Sequence, residues 1–576
     1  MDRSNHFIKS FKDFILSCDE TYLIDAANKG LYKRALKEID KENTVEVEIK
    51  EDKVICKLED ETVCELTDHI GKYKCSCPSR NICKHVLISI IYIQRNINEI
   101  FRENSESDIK KTDRQIKVLE EKILEKKDFS WILNYDLHEI KKRITKKEFS
   151  DILFRVKFGI EVEIKEENFL VVYLKDWDIR VRFTENPSLD RIICTCKEKD
   201  FCIHKAEAMI HYKLYKKHIH MNEIYESIDI KICKEALQEV RKLISEITII
   251  GLSRLPENIL KRIENTAVFC HSKDLVRLEK LLRSLKSQLE LYFHKHASFS
   301  KEAVRKLITR IYNISIGIEK APSNRVKKNL IGEHKTSYTE IPPVTLCGMG
   351  AGAWKSNSGY AGITYYFFNE KRKLWMTYIA MKPTYYEGVG INIVTMYKSK
   401  APWNMENSME NISKDKIQLK HCKVNKNYRI SSSEETIGNM IEKTNINKID
   451  CGNILYEDWR VLIKNIQKHF HYKLLEEEEN INLVLLKVYR WGKSSFDSIN
   501  QVFKLPIYDK NNQIICILLK FNTDNKGLIN RLESMEKYKK FGDILLGKIY
   551  RFEGNYVIDP ITMYYENGEM INLTLE

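Results

Sequence analysis

The chain lacks any apolar run near the roughly 18 residues that a membrane-crossing helix needs. Met1-Asp2-Arg3 does not open a secretory leader either. Both absences predict a reduced, soluble, cytoplasmic protein. Fifteen cysteines would suggest a bridged scaffold in a small secreted chain, but this one has 576 residues, which excludes that class. Catalytic signatures are missing too. The pairs His294/His296 and His469/His471 have no nucleophile or carboxylate pattern beside them, and Asp509 and Asp559 read as isolated turn residues. Carboxylates that meet only in the fold leave no local mark. A nucleic-acid enzyme with an active site in the C-terminal half therefore stays as an alternative to the expected non-enzyme. A phosphate loop is absent as well. Gly348-Met-Gly350-Ala-Gly352-Ala-Trp354-Lys355-Ser356 comes nearest, but a Walker loop needs glycine directly before its lysine, where backbone closes on phosphate. Trp354 stands there, and a strand is predicted to follow.

What the chain has is a repeated metal pattern. Cys75-Ser-Cys77, five residues, then Cys83-Lys-His85 returns as Cys194-Thr-Cys196, five residues, Cys202-Ile-His204. Three thiolates and one imidazole fill the four positions of a closed tetrahedral zinc site, whereas a catalytic zinc keeps one position for water. Two structural zinc ions are expected. The other nine cysteines are scattered.

The surroundings repeat as well. Val45-Glu-Val-Glu-Ile-Lys-Glu51 reappears as Ile160-Glu-Val-Glu-Ile-Lys-Glu166, with strand-like alternation. Each copy runs through a second extended stretch to its C-x-C pair and leaves its C-x-H pair into a helix, Val86 to Asn96 and Lys205 to Lys217. A small domain has been duplicated. On these eight ligands and their spacing, each copy resembles the SWIM zinc finger, a ββα unit. The resemblance implies binding of DNA or other proteins and no catalysis by the fingers. Gly348 to Gly362 loosely resembles the C-terminal region of long bacterial SWIM proteins, which occur beside MoxR-type AAA+ ATPases and von Willebrand A-domain proteins. That likeness implies such partners.

The order of the chain predicts a multidomain α+β protein. Residues 1–106 hold N-terminal helices and the first finger, 107–221 linking helices and the second finger, 222–322 a helical region, and 341–576 an α+β region. The helix after His85 is apolar nearly all round (Val86, Leu87, Ile88, Ile90, Ile91, Ile93), which predicts burial. Asp108 to Glu148 reads as a solvated charged helix, with Lys110, Lys111, Arg114 and Lys117 against Glu120, Glu121 and Glu125. Leu275, Leu278, Leu282, Leu285, Leu289 and Tyr292 form a heptad-like seam within a helical hairpin. Arg277, Lys280, Arg283 and Lys286 lie off it, facing solvent or an acidic partner. Ser300 is placed to cap the next helix, and the polar, basic stretch 323–340 reads as a linker.

A formal charge of +14 over this length leans mildly toward nucleic acid. The second finger's helix concentrates the signal: Lys205, Lys213, Lys216 and Lys217 interleave with Tyr212 and Tyr215, suiting phosphate contact and base stacking. The expected function is a zinc-binding recognition protein whose fingers bind nucleic acid, DNA in preference to RNA. The alternative is an adaptor for an AAA+ ATPase and an A-domain protein.

Overall fold

The computed structural model describes residues 3–576 apart from 42–43, 80, 102–126, 168, 199, 227–229, 297–298, 334–336, 357–358, 385–391 and 471–481. The charged residues Lys110, Lys111, Arg114, Lys117, Glu120, Glu121 and Glu125 lie outside the described residues, as does His471. The chain divides into two compact units, Met1–Ile224 and Tyr225–Glu576.

The first unit opens with helices α1 (Arg3–Ser17), α2 (Glu20–Ala26) and α3 (Lys29–Ile39). Asp19 and Asn28 cap α2 and α3, their side-chain oxygens accepting from the amides of Tyr22 and Leu31. An antiparallel sheet follows in the order β1 (Glu46–Ile49), β2 (Val54–Lys57), β3 (Val63–Leu66), β4 (Lys74–Cys75). Helix α4 (Lys84–Arg95) then buries all six of its predicted apolar residues against the sheet and α1–α3.

The second copy repeats this plan. Helix α5 (Lys146–Phe158) is opened by a reciprocal Thr145–Glu148 capping box and closed by Gly159 in the left-handed region. The sheet runs β5 (Val162–Glu166), β6 (Leu170–Leu174), β7 (Ile179–Phe183), β8 (Ile193–Cys194), and helix α6 (Ile203–Tyr215) follows. Each sheet has four strands, two more than the ββα pattern implies. The repeated Val-Glu-Ile segments form the first strand, and the first zinc-ligand cysteine ends the fourth.

The copies are locked together. Tyr22 of α2 stacks on Phe169 with ring centroids 4.7 Å apart. The buried Asp25 carboxylate pairs with Arg182 at 2.8 Å and Arg180 at 3.3 Å, and Arg182 also donates to Thr21. Asp68, just past β3, pairs with Arg191 at 2.6 Å. Burial would raise the Asp68 carboxyl, but hydrogen bonds from Ser10 and Arg191 hold it below its ordinary range.

The second unit begins with helices α7 (Lys234–Ile250), α8 (Ile259–Ser272), α9 (Val276–Phe293), α10 (Lys301–Lys320) and α11 (Asn324–Ile331) around one apolar core. Leu275, Leu278, Leu282, Leu285 and Leu289 are all buried in it, and Ser300 caps α10 by accepting from Ala303 N. Two expectations are corrected here. The stretch read as a linker contains α11, whose Leu330 joins the core. Arg277 is buried, not solvent-facing. Arg283 and Lys286 do meet an acidic partner, Glu264 of the neighbouring helix, at 2.5 and 3.1 Å.

The glycine-rich stretch lies inside strand β9 (Val344–Ser356). It is the middle strand of a five-stranded antiparallel sheet, between Tyr360–Asn369 and Asp415–Lys420. A nine-stranded sheet packs on this one. Its Leu483 and Leu485 face the five-stranded sheet, while Val484 and Leu486 face helices Trp459–Phe470 and Lys526–Lys537. Both faces are covered, so the strand reads as a continuous apolar run. Gly350 makes the close approach possible: its φ is +116°, and a Cβ there would lie 1.9 Å from Thr562 Oγ1. The next amide, Ala351 N, donates to the buried Asn572 side chain at 2.8 Å. Lys355 sits at the surface and pairs with Asp524. Asp559, expected in a turn, lies within strand Asn555–Tyr564. No described helix is long and apolar enough to cross a membrane.

Two substitutions separate packing from phosphate chemistry. Gly350→Ala should lower stability by more than about 2 kcal/mol. Lys355→Ala removes only an exposed ion pair and should change stability by less than about 1 kcal/mol. Denaturant melts of both variants check this, and saturable ATP binding lost in Lys355→Ala would contradict it.

Candidate metal centres

In both copies the ligands come from three kinds of backbone. Cys75 ends β4, a two-residue strand paired with β3, and Cys194 ends β8, paired with β7. Cys77 and Cys196 follow in the turn beyond. Cys83 and Cys202 are the residues just before α4 and α6, with extended backbone, and His85 and His204 lie in the first helical turn. Helix N-termini carry partial positive charge and unsatisfied amides, which favour thiolate.

The four ligand atoms of each set lie within 4.8 Å of one another. His85 Nδ1 is 3.8 Å from both Cys75 Sγ and Cys83 Sγ. Bonds of about 2.3 Å to sulfur and 2.0–2.1 Å to nitrogen, in a tetrahedron, put neighbouring ligand atoms about 3.5–3.8 Å apart. His204 Nδ1 is buried without a hydrogen-bond partner, as suits a lone pair reserved for a cation. The donor sets fit two structural zinc ions, with Cys75, Cys77, Cys83 and His85 for one and Cys194, Cys196, Cys202 and His204 for the other.

The SWIM zinc finger family model matches residues 54–94 and 169–213. These two stretches are SWIM zinc fingers. No curated protein matches the chain. The matched stretches start at the second strand of each sheet and end within the helix that carries the last ligand, so they coincide with the duplicated metal-binding halves.

The two SWIM fingers differ in what lies beside the metal ligands. In the first, the outer nitrogen of His85, Nε2, pairs with Asp60 at 3.1 Å, which fixes the ring and leaves Nδ1 for zinc. In the second, Glu207, one turn beyond His204, is fully buried and held by a two-pronged pair to Arg155 at 2.7 and 3.0 Å. Burial raises the Glu207 carboxyl even against the Arg155 charge. The first finger also places the buried Cys64 directly across from Cys75, with the sulfurs 3.5 Å apart. None of these neighbours is legible in the sequence. Asp60 and Cys64 belong to no motif, and the partner of Glu207 is distant in the chain.

The expected nucleic-acid row on α6 is corrected by burial. Lys205, Tyr212 and Lys213 are only 5, 2 and 3% exposed. Lys205 donates to Asp200 O at 3.2 Å, and Lys213 to Leu133 O. Lys216 pairs with Glu166 at 2.7 Å. Lys217 is exposed just past the helix, and Tyr215 remains exposed on it. The spacing of the lysines is real, but Lys205 and Lys213 turn inward to carbonyls, and Lys216 is held at the surface by Glu166.

Purified chain should carry two zinc ions, and Cys202→Ser should lower that to one; folded protein with none would contradict the assignment. Asp60→Ala should weaken the first site by about 10–100-fold, read by competition with a chelator, while the second site is unchanged. Burial pulls Lys213 down to about 8 from 10.5. Between those values the unfolded chain binds a proton that the native state does not, so stability gains as pH rises through that window. Lys213→Met should therefore be at least as stable as the parent at pH 7. Its advantage should shrink toward pH 10.

Proposed function

We propose that this is a non-catalytic recognition protein whose paired SWIM fingers bind another protein, with zinc holding the binding surface in shape. The observation that carries this reading is electrostatic. Met1–Ile224 contains equal numbers of basic (Lys+Arg) and acidic (Asp+Glu) residues, so the whole excess of +14 belongs to Tyr225–Glu576. Nucleic-acid affinity rests largely on cations that neutralise phosphates. In the finger unit, Lys205 and Lys213 of α6 are spent on internal carbonyls, and Lys216 just past the helix pairs with Glu166. A surface of balanced charge suits a protein partner, where net charge is not the driving term. Closed coordination at both zincs supports a role without catalysis. The AAA+ ATPase and A-domain partners implied by the resemblance belong to this reading.

One observation favours a second reading, nucleic-acid binding with DNA preferred. The positive excess of Tyr225–Glu576 would then meet the phosphates in place of the α6 lysines.

Labelled duplex and single strand, titrated into the full chain at several salt concentrations, separate the two readings. The first predicts no salt-dependent binding to either probe, whereas the second predicts binding whose salt slope survives replacement of Lys216 and Lys217 together with glutamate. The first also predicts a protein partner retained after nuclease treatment and lost in Cys202→Ser. A slope that flattens by about one to two units in the double variant would place phosphates on the finger helix and refute the first.

A further inference from the structure

We propose that the first zinc centre is a peroxide-responsive switch in which Cys64 closes a disulfide with the zinc ligand Cys75, while the second centre is permanent. The inference rests on the metal sites alone and not on what the fingers bind. Cys64 of β3 stands directly opposite Cys75 of β4, and their sulfurs are 3.5 Å apart. Directly opposite residues of an antiparallel pair lie about 4.5–5.5 Å apart at Cα, inside the roughly 4.4–6.8 Å span of natural disulfides. Closing the remaining gap to a bond of about 2.05 Å needs only a small rotation of two side chains. Cys64 is fully buried, whereas Cys75 is partly exposed, so an oxidant in solution meets the ligand first.

The second finger lacks the device at the matched position. Opposite Cys194 stands Val181. The contrast extends one strand further, where Cys56 faces Cys64 in the first finger and Val172 faces Val181 in the second. Two copies of one domain thus hold the same metal on the same ligands, yet only one has a thiol beside it.

The chemistry balances with a hydroperoxide as oxidant. The Cys75 thiolate attacks a peroxide oxygen; an S–O bond forms, the O–O bond breaks, and hydroxide or alkoxide leaves. The Cys64 sulfur then attacks the Cys75 sulfenic sulfur. An S–S bond forms, the S–O bond breaks, and water departs with the proton of the Cys64 thiol. Two cysteine sulfurs lose two electrons, and the peroxide gains them. Zinc loses one of its four ligands, and the first site opens while the second keeps all of its own. A thiol reductant reverses the disulfide by exchange, so the switch resets.

The test uses the full chain loaded with two zinc ions. Treated with hydrogen peroxide in the presence of a chromogenic chelator, it should release one zinc per chain. Non-reducing tryptic mass spectrometry should then show Leu58–Lys72, which carries Cys64, joined to Cys75–Arg80 through Cys75. Dithiothreitol with added zinc should restore two ions. Cys64→Val, which installs the residue of the second finger, should bind two zinc ions at rest. After peroxide it should fail to recover the lost ion, because Cys75 proceeds to sulfinic acid. Disulfide mapping on the unaltered chain stands whether or not that variant folds. Joining of Cys75 to Cys77 or Cys83, or equal release from both sites, would overturn the proposal, as would full recovery in Cys64→Val.

Discussion

Each finger depends on a metal closure where backbone hydrogen bonding runs out. Strands β4 and β8 are two residues long, and the chain from Cys75 to Cys83, like that from Cys194 to Cys202, passes through turns before the helix starts. A strand that short contributes little ladder of its own. Zinc supplies the missing constraint, and structural zinc sites in peptides bind with about 10–16 kcal/mol at neutral pH, binding energy that is also folding energy. The residue just before the following helix and one in its first turn are tied back to the strand end, which holds the helix's buried face to the sheet.

The second constraint joins the fingers. Asp25 on α2 of the first copy is buried against Arg182 and Arg180 of the second copy's β7, and Tyr22 lies on Phe169. Removing one partner of a buried, hydrogen-bonded pair typically destabilises by about 3–5 kcal/mol, because the other charge stays behind. The tandem is therefore a single scaffold, unlike a string of independent readers. That view agrees with the balanced charge of Met1–Ile224 and with the inward-turned lysines of α6, and it is why a protein partner fits this unit better than a phosphate backbone.

Much of this was legible in the sequence, and the misses have physical causes. Eight ligands at fixed spacing announce themselves, because coordination geometry tolerates few alternatives. The apolar helix after His85 and the leucine seam from Leu275 to Leu289 were readable from periodicity. The lysines of α6 were not. A lysine lays its methylenes along apolar surface wherever a carbonyl lies within reach of its head, and Leu133 is far away in the chain. The glycines of β9 looked like loop punctuation, whereas Gly350 is there because a second sheet comes within contact of its Cα. Asp60, Cys64 and Asp25 matter through partners that only the fold brings near.

Amide hydrogen exchange on full-length Cys202→Ser, compared with the parent chain, tests most directly the claim that zinc closure and the Asp25 lock make the two fingers one cooperative body. The account predicts that losing the second zinc strips protection from α6 and β6–β8 and also from α2, which is docked on them through Asp25 and Tyr22. Loss of protection confined to α6 and its knuckle, with α2 as protected as in the parent, would contradict it.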